Sequence, residues 1–198
     1  MSFSAVCVFC GSQLGARAEY RAAARELAQI LVRRALTVVY GGGHVGMMGT
    51  LADETLAQHG RIVGIIPRHL MRPEVAHRGL TELLVVESMH ERKRTMAERS
   101  DAFIVLPGGY GTLEEMFEMV TWLQLQLQTK PVGILNIEGY FDRILDFLRH
   151  AAQEGFIRPE HWDLLIVEHT AERLLDRLEL HATQMSHSHP ARVDPRRS

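Results

Sequence analysis

Lysine, cysteine and unbroken apolar sequence are all scarce in this chain, and each scarcity closes off a class of function. Lys93 and Lys130 are its only lysines. A pyridoxal-phosphate enzyme forms a Schiff base with a lysine. Neither residue suits that role, since Lys93 adjoins Arg92 on a cationic stretch and Lys130 stands in a pre-proline turn. Neither of two glycine turns ends in Gly-Lys-Ser/Thr, which excludes a P-loop. Cys7 and Cys10, the only cysteines, form a single C-x-x-C with no second pair to complete a metal site. A redox pair normally opens a helix, where the dipole lowers the thiol pKa. Cys7 instead lies inside a strand-like run, so core packing is the expectation. No run approaches the ~18 apolar residues of a membrane span. Met1-Ser2-Phe3-Ser4 leads directly into a strand pattern, without the basic and apolar regions of a secretion signal. The expectation is a cytoplasmic protein with no membrane partner. A net charge of −2 offers nothing to a bulk nucleic-acid surface.

What is present is an ordinary globular composition. The 198 residues are 46% hydrophobic and 23% charged, enough for one domain with a proper core. Strand and helix patterns alternate almost without interruption. Strands are expected at 5–9, 37–40, 62–66, 82–86, 102–106, 132–135 and 164–167. Helices are expected at 16–34, 47–59, 89–100, 113–127, 140–154 and 171–181. Residues 68–79 read as a polar loop with one helical turn. This alternation predicts an α/β, Rossmann-like three-layer fold, with a parallel sheet covered by helices on both faces. The domain should occupy residues 1–182. Residues 183–198, rich in Ser, His, Pro and Arg without an apolar period, read as a disordered tail.

Such folds bind ligands at the carboxyl ends of their strands, and both glycine turns lie there. Pro107-Gly108-Gly109-Tyr110-Gly111-Thr112 joins a short apolar run to a long one. Its glycines keep side chains clear of the backbone. The N–H groups and positive dipole end of the following helix favour an anion, so this turn reads as a phosphate cradle. Thr112 and Glu115 match the capping box T-x-x-E. A carboxylate beside an anion site also makes Glu115 a candidate for chemistry on the ligand. The second turn, Gly41-Gly42-Gly43-His44-Val45-Gly46, satisfies G-x-G-x-x-G. The next strand, however, ends Gly64-Ile65-Ile66-Pro67, without the acid that holds a dinucleotide ribose. A mononucleotide or sugar-phosphate contact at Gly42 and Gly43 is therefore preferred over NAD or FAD. Met89, Arg92, Lys93 and Met96 share one helix face. Two cations on that inward stripe either snorkel or face an anion. The helix expected at 113–127 is apolar nearly all round, which implies burial on both sides and a homodimer across it.

On these residues the chain resembles the LONELY GUY (LOG) family of cytokinin riboside 5′-monophosphate phosphoribohydrolases, proteins often mislabelled lysine decarboxylases. The family's P-G-G-x-G-T-x-x-E stands complete from Pro107 to Glu115, and its M-H-E-R-K from Met89 to Lys93. Cys10-Gly11-Ser12, the 41–49 glycine turn, Gly79-Leu80-Thr81-Glu82-Leu83 and Lys130-Pro131-Val132-Gly133 also fit, over about residues 4–180. The resemblance implies hydrolysis of the N-glycosidic bond of an adenine-type nucleoside 5′-monophosphate, with no redox cofactor and no metal. It implies Arg92 and Glu115 as the catalytic pair. Gly108, Gly109, Gly111 and Thr112 would hold the phosphate, Lys93 would add charge, and Glu74 and Thr121 would contact substrate. A non-catalytic nucleotide-binding module on the same scaffold stays open at this point, as does the choice between adenine and a prenylated base.

Overall fold

The computed structural model describes residues 3–72 and 75–188, the last three of them by backbone alone. Seven strands form one parallel sheet: β1 (Ala5–Phe9), β2 (Thr37–Tyr40), β3 (Ile62–Pro67), β4 (Glu82–Val86), β5 (Ala102–Val105), β6 (Val132–Leu135) and β7 (Leu165–Glu168). Their spatial order is β4-β3-β2-β1-β5-β6-β7. Six helices connect and follow them: α1 (Ala18–Arg33), α2 (Gly46–Ala57), α3 (Met89–Glu98), α4 (Tyr110–Gln124), α5 (Asp142–Gln153) and α6 (Ala171–Ser188).

The strands are parallel because their sequences leave no face for water. β1, β3, β5 and β6 are apolar at nearly every position and buried on both sides. Alternation divides each strand between two cores. Val6 and Val8 of β1, with Ile104 of β5, pack toward α1, α2 and α6. Cys7 and Phe9, with Phe103 and Val105, pack toward α3, α4 and α5. The rings of Phe9 and Phe103 stack on that second face with centroids 5.8 Å apart. Cys7 and Cys10 are free thiols that belong to cores on opposite faces of the sheet, and burial pushes the pKa of each upward. They pack as small hydrophobes rather than as a redox pair.

The strand order has one reversal. The chain steps outward from β1 through β2 and β3 to β4, then returns to β5 on the other side of β1. The connections leaving β1 and β5 therefore diverge to opposite faces, and a crevice opens between them at the carboxyl edge. Both Cys10-Gly11-Ser12 and the 107–112 turn open into it.

Several boundaries depart from the sequence expectation, one with chemical consequences. α4 begins at Tyr110, not at residue 113, so its N-cap is Gly109 and Thr112 lies inside the first turn. The capping box expected at Thr112 and Glu115 is not formed. An apolar pattern that starts at Leu113 hides a first turn made of Tyr, Gly and Thr. A capping arrangement occurs instead at α3, where Ser88 Oγ accepts from the Glu91 N–H at 3.1 Å. The Glu91 carboxylate accepts from the Glu87 N–H at 2.8 Å. α4 also ends at Gln124, leaving Leu125 and Leu127 exposed beyond it. α6 continues to Ser188, so residues 183–188 of the expected disordered tail are helical. A solvated helix end is as polar as a disordered one, which is why the pattern misled. The rest of that tail lies outside the described residues. No helix among the described residues is long and apolar enough to cross a membrane.

Candidate active site

Three strand ends build one cavity of about 220 Å³ between β1 and β5. β1 supplies Phe9, Cys10 and Ser12, β2 ends in Gly41, and the turn after β5 contributes Gly109, Gly111 and Thr112. Arg92 of α3 and Glu115 of α4 enter from the α3/α4 side. The first N–H groups of any helix have no acceptor inside it. Gly109, as N-cap, offers no side chain to take them. A Cβ placed on Gly109 or on Gly111 would meet nothing within 4 Å. The start of α4 is thus an uncapped, open helix terminus, with room for an anion against its backbone.

Arg92 is held by backbone carbonyls. Its Nε donates to Ile65 O at 3.2 Å, and a terminal nitrogen donates to Gly41 O at 3.4 Å. Glycine is required at 41 because any Cβ there would run into the guanidinium. The remaining terminal nitrogen lies 3.8 Å from Glu115 Oε1, with both side chains almost wholly buried. Burial is the main influence on Glu115 and pushes its pKa up to about 7, with Arg92 opposing and the Glu114 carboxylate adding to the rise. The site therefore holds a carboxyl group that titrates near neutrality, beside a fixed cation and an anion-accepting helix end. Among the described residues no cluster of His, Cys, Asp or Glu is arranged to hold a metal ion.

The geometry has close relatives in sequence. A family model described as "Possible lysine decarboxylase" matches residues 48–178. Cytokinin riboside 5′-monophosphate phosphoribohydrolase LOG5 of Arabidopsis thaliana is 47% identical over 177 residues, covering 89% of this chain and 78% of the relative. Probable cytokinin riboside 5′-monophosphate phosphoribohydrolase LOGL9 of Oryza sativa subsp. japonica is 49% identical with the same coverage. The chain belongs to the LOG family. Its fold is shared more widely. A molybdenum cofactor binding protein from Rippkaea orientalis superposes with a TM-score of 0.66 at 19% identity, covering 89% of this chain and 96% of its own. At that identity the likeness concerns architecture alone.

Not every position matched to the LOG motifs converges on the cavity. Arg92, Glu115, Gly109, Gly111 and Thr112 do. Gly108 is buried between Thr112 and Gly11, and lines a neighbouring hollow on the other side of the turn. Gly42 and Gly43 are absent from the cavity lining, where Gly41 stands instead. Gly42 adopts φ +75° and its carbonyl accepts from the His77 N–H, while Gly43 bridges Ala76. Those two glycines fasten the 75–77 segment. Lys93 does not reach the cavity either. Its ammonium is engaged by the Glu114 carboxylate and lies 3.0 Å from that of Glu118, so it ties α3 to α4. Burial works against its charge, but hydrogen bonds to the two carboxylates prevail and raise its pKa. Thr121 lies along α4 on a separate hollow of about 420 Å³, formed with α5 and the segment before β7. Glu74 lies outside the described residues. Neither lysine fits a Schiff-base role in the cavity, because Lys93 is paired and Lys130 donates to Ala97 O.

Sequence reasoning missed Met48 and Glu114 among the cavity walls. Met48 follows the second glycine turn, and Glu114 adjoins the catalytic candidate. The rule that ligands sit at strand ends pointed to both regions without choosing the side chains.

Two predictions follow from this geometry. Gly111→Ala should leave the melting temperature equal or slightly higher, because alanine favours a helix by about 1 kcal/mol over glycine and meets no protein atom there. The same methyl occupies ligand space, so the affinity for ribose 5-phosphate measured by calorimetry should fall at least about tenfold. Glu115→Gln should show a pH-dependent gain in stability. The folded carboxyl titrates near 7 and an unfolded one near 4.5, so its ionisation opposes folding increasingly as pH rises between those values. The advantage of the Gln variant in thermal melts should be small at pH 5 and approach about 3 kcal/mol at pH 8.

Proposed function

We propose that the protein hydrolyses the N-glycosidic bond of cytokinin riboside 5′-monophosphates, and of AMP, releasing the free base and ribose 5-phosphate. The observation that carries the reading is the buried Arg92–Glu115 pair, set beside an uncapped helix N-terminus in one cavity. The phosphate accepts from the first N–H groups of α4, which presents the anomeric carbon to Glu115. As the C1′–N9 bond lengthens, positive charge grows on the ribose, as in glycoside hydrolysis. The Glu115 carboxylate stabilises that charge and takes a proton from the water that adds to C1′. The base leaves with the bonding electron pair on N9 and collects a proton. Arg92, with two nitrogens committed to carbonyls, keeps Glu115 oriented and favours its ionised form. A protein that only bound nucleotides would have no use for a desolvated carboxyl poised near neutrality.

We further propose a homodimer across α4 and the segment after it. Leu125 and Leu127 are 59% and 69% exposed, beside half-buried Val120 and Trp122. The cavity is also smaller than the roughly 300–1,000 Å³ usual for a small-molecule site. Thr121 is six residues, or about 9 Å along the axis, from Glu115. The partner subunit's Thr121 would serve the substrate contact that this chain's own Thr121 does not make. We take the compartment to be the cytoplasm, where nucleoside monophosphates are made and consumed.

Incubation with AMP and with isopentenyladenosine monophosphate, followed by chromatography, should show free base from both. Glu115→Gln and Arg92→Ala should each lower turnover by roughly 10²-fold or more. kcat/KM should rise with pH through about 7 as Glu115 ionises, and Arg92→Ala should move that inflection to higher pH. Near-normal turnover in both folded variants rejects the assignment. Sedimentation velocity at micromolar concentration should give twice the 22.4 kDa chain mass. The double variant Leu125→Glu, Leu127→Glu should yield an impaired monomer, whereas a fully active monomeric wild type rejects the dimer.

A further inference from the structure

A phosphate cradle made of backbone works only if its carbonyl oxygens point away from the anion, since each carries a partial negative charge. Every carbonyl of the 107–109 turn has a donor holding it. Pro107 O accepts from the Gly11 N–H at 3.0 Å, and Gly109 O accepts from the Leu113 N–H at 3.1 Å as α4 begins. Gly108 O has neither a strand nor a helix to hold it. It accepts from the phenol of Tyr140 at 2.6 Å.

Tyr140 is far from the turn in sequence and is itself firmly set. The segment between β6 and α5 is folded around Asn136. The Asn136 side-chain oxygen accepts from the Phe141 N–H at 2.9 Å, and its side-chain amide donates to Asp142 Oδ1 at 2.7 Å. The Tyr140 ring is clamped edge-to-face by Tyr20 on one side and Phe141 on the other, with centroids 5.5 and 4.9 Å away. Its hydroxyl is thereby delivered to the back of the turn, within the hollow that Gly108, Gly109 and Ser12 also line.

We infer that Tyr140 is a positioning residue for the phosphate subsite. Its hydroxyl holds the Gly108 carbonyl on the far side of the turn, so that the first N–H groups of α4 face the ligand. The inference rests on the functional reading above. It adds a residue from another strand end, outside the glycine motif, that tunes affinity for the phosphate without touching it.

Tyr140→Phe keeps the ring and its packing and removes only the hydroxyl. The melting temperature should stay within a few degrees of wild type. The affinity for ribose 5-phosphate by calorimetry should weaken about fivefold to tenfold, the scale of one lost hydrogen bond. KM for AMP should rise by a similar factor, while kcat at saturation changes less than about twofold. Release of base from adenosine, which has no phosphate, should be unaffected wherever it is measurable. Unchanged affinity for ribose 5-phosphate in the folded variant overturns the inference, and so does equal loss toward adenosine and AMP. Should wild type release no base at all, the hydrolase reading fails, while calorimetry with ribose 5-phosphate still decides the role of Tyr140.

Discussion

A helix that starts without a side-chain cap leaves its first N–H groups to whatever acceptor comes near. In most helices Ser, Thr, Asp or Asn takes them. At α4 the cap is Gly109, and the terminus opens into the one crevice that the strand order creates. Everything else in the site is arranged around that unsatisfied end. The β1 exit turn walls one side, the Gly41 turn walls another, and Arg92 and Glu115 stand where the sugar of a phosphate-anchored ligand would lie.

The surrounding residues explain how a carboxylate is kept beside an anion-binding terminus. Glu115 is desolvated, and ionisation is held back until near neutral pH. Arg92 opposes that tendency from 3.8 Å, but its charge is shared with two backbone carbonyls. Lys93 neutralises Glu114 and Glu118, the two further carboxylates on the same stretch of α4. Without it, three carboxylates would crowd one end of a helix meant to hold a phosphate. The lysine serves the site from outside it, by cancelling charge that would repel the ligand.

The same logic relates the two glycine turns. The 107–112 turn offers backbone to a ligand, and its glycines face open space at 109 and 111. The 41–43 turn offers backbone to the protein: Gly41 makes way for the guanidinium, and Gly42 and Gly43 fasten the 75–77 segment. Two similar strings of glycine thus do different work, because one precedes an uncapped helix in the crevice and the other packs under neighbouring segments.

The amino-acid sequence alone determined the alternation of strands and helices, the parallel sheet, the phosphate turn, and the pairing of Arg92 with Glu115. Periodicity, glycine clusters and local motifs are properties of neighbouring residues, and they survive without coordinates. Tertiary structure decided the rest. It decided where α4 begins, because a Tyr-Gly-Thr turn has no apolar period to announce it. It decided that Lys93 pairs with α4 instead of facing the ligand, and that Thr121 opens on a different hollow. It set the titration of Glu115, since desolvation depends on what packs around a side chain. It also brought Tyr140 to Gly108, a contact between residues 32 positions apart. No local pattern encodes such a meeting, because it exists only once two strand ends lie side by side.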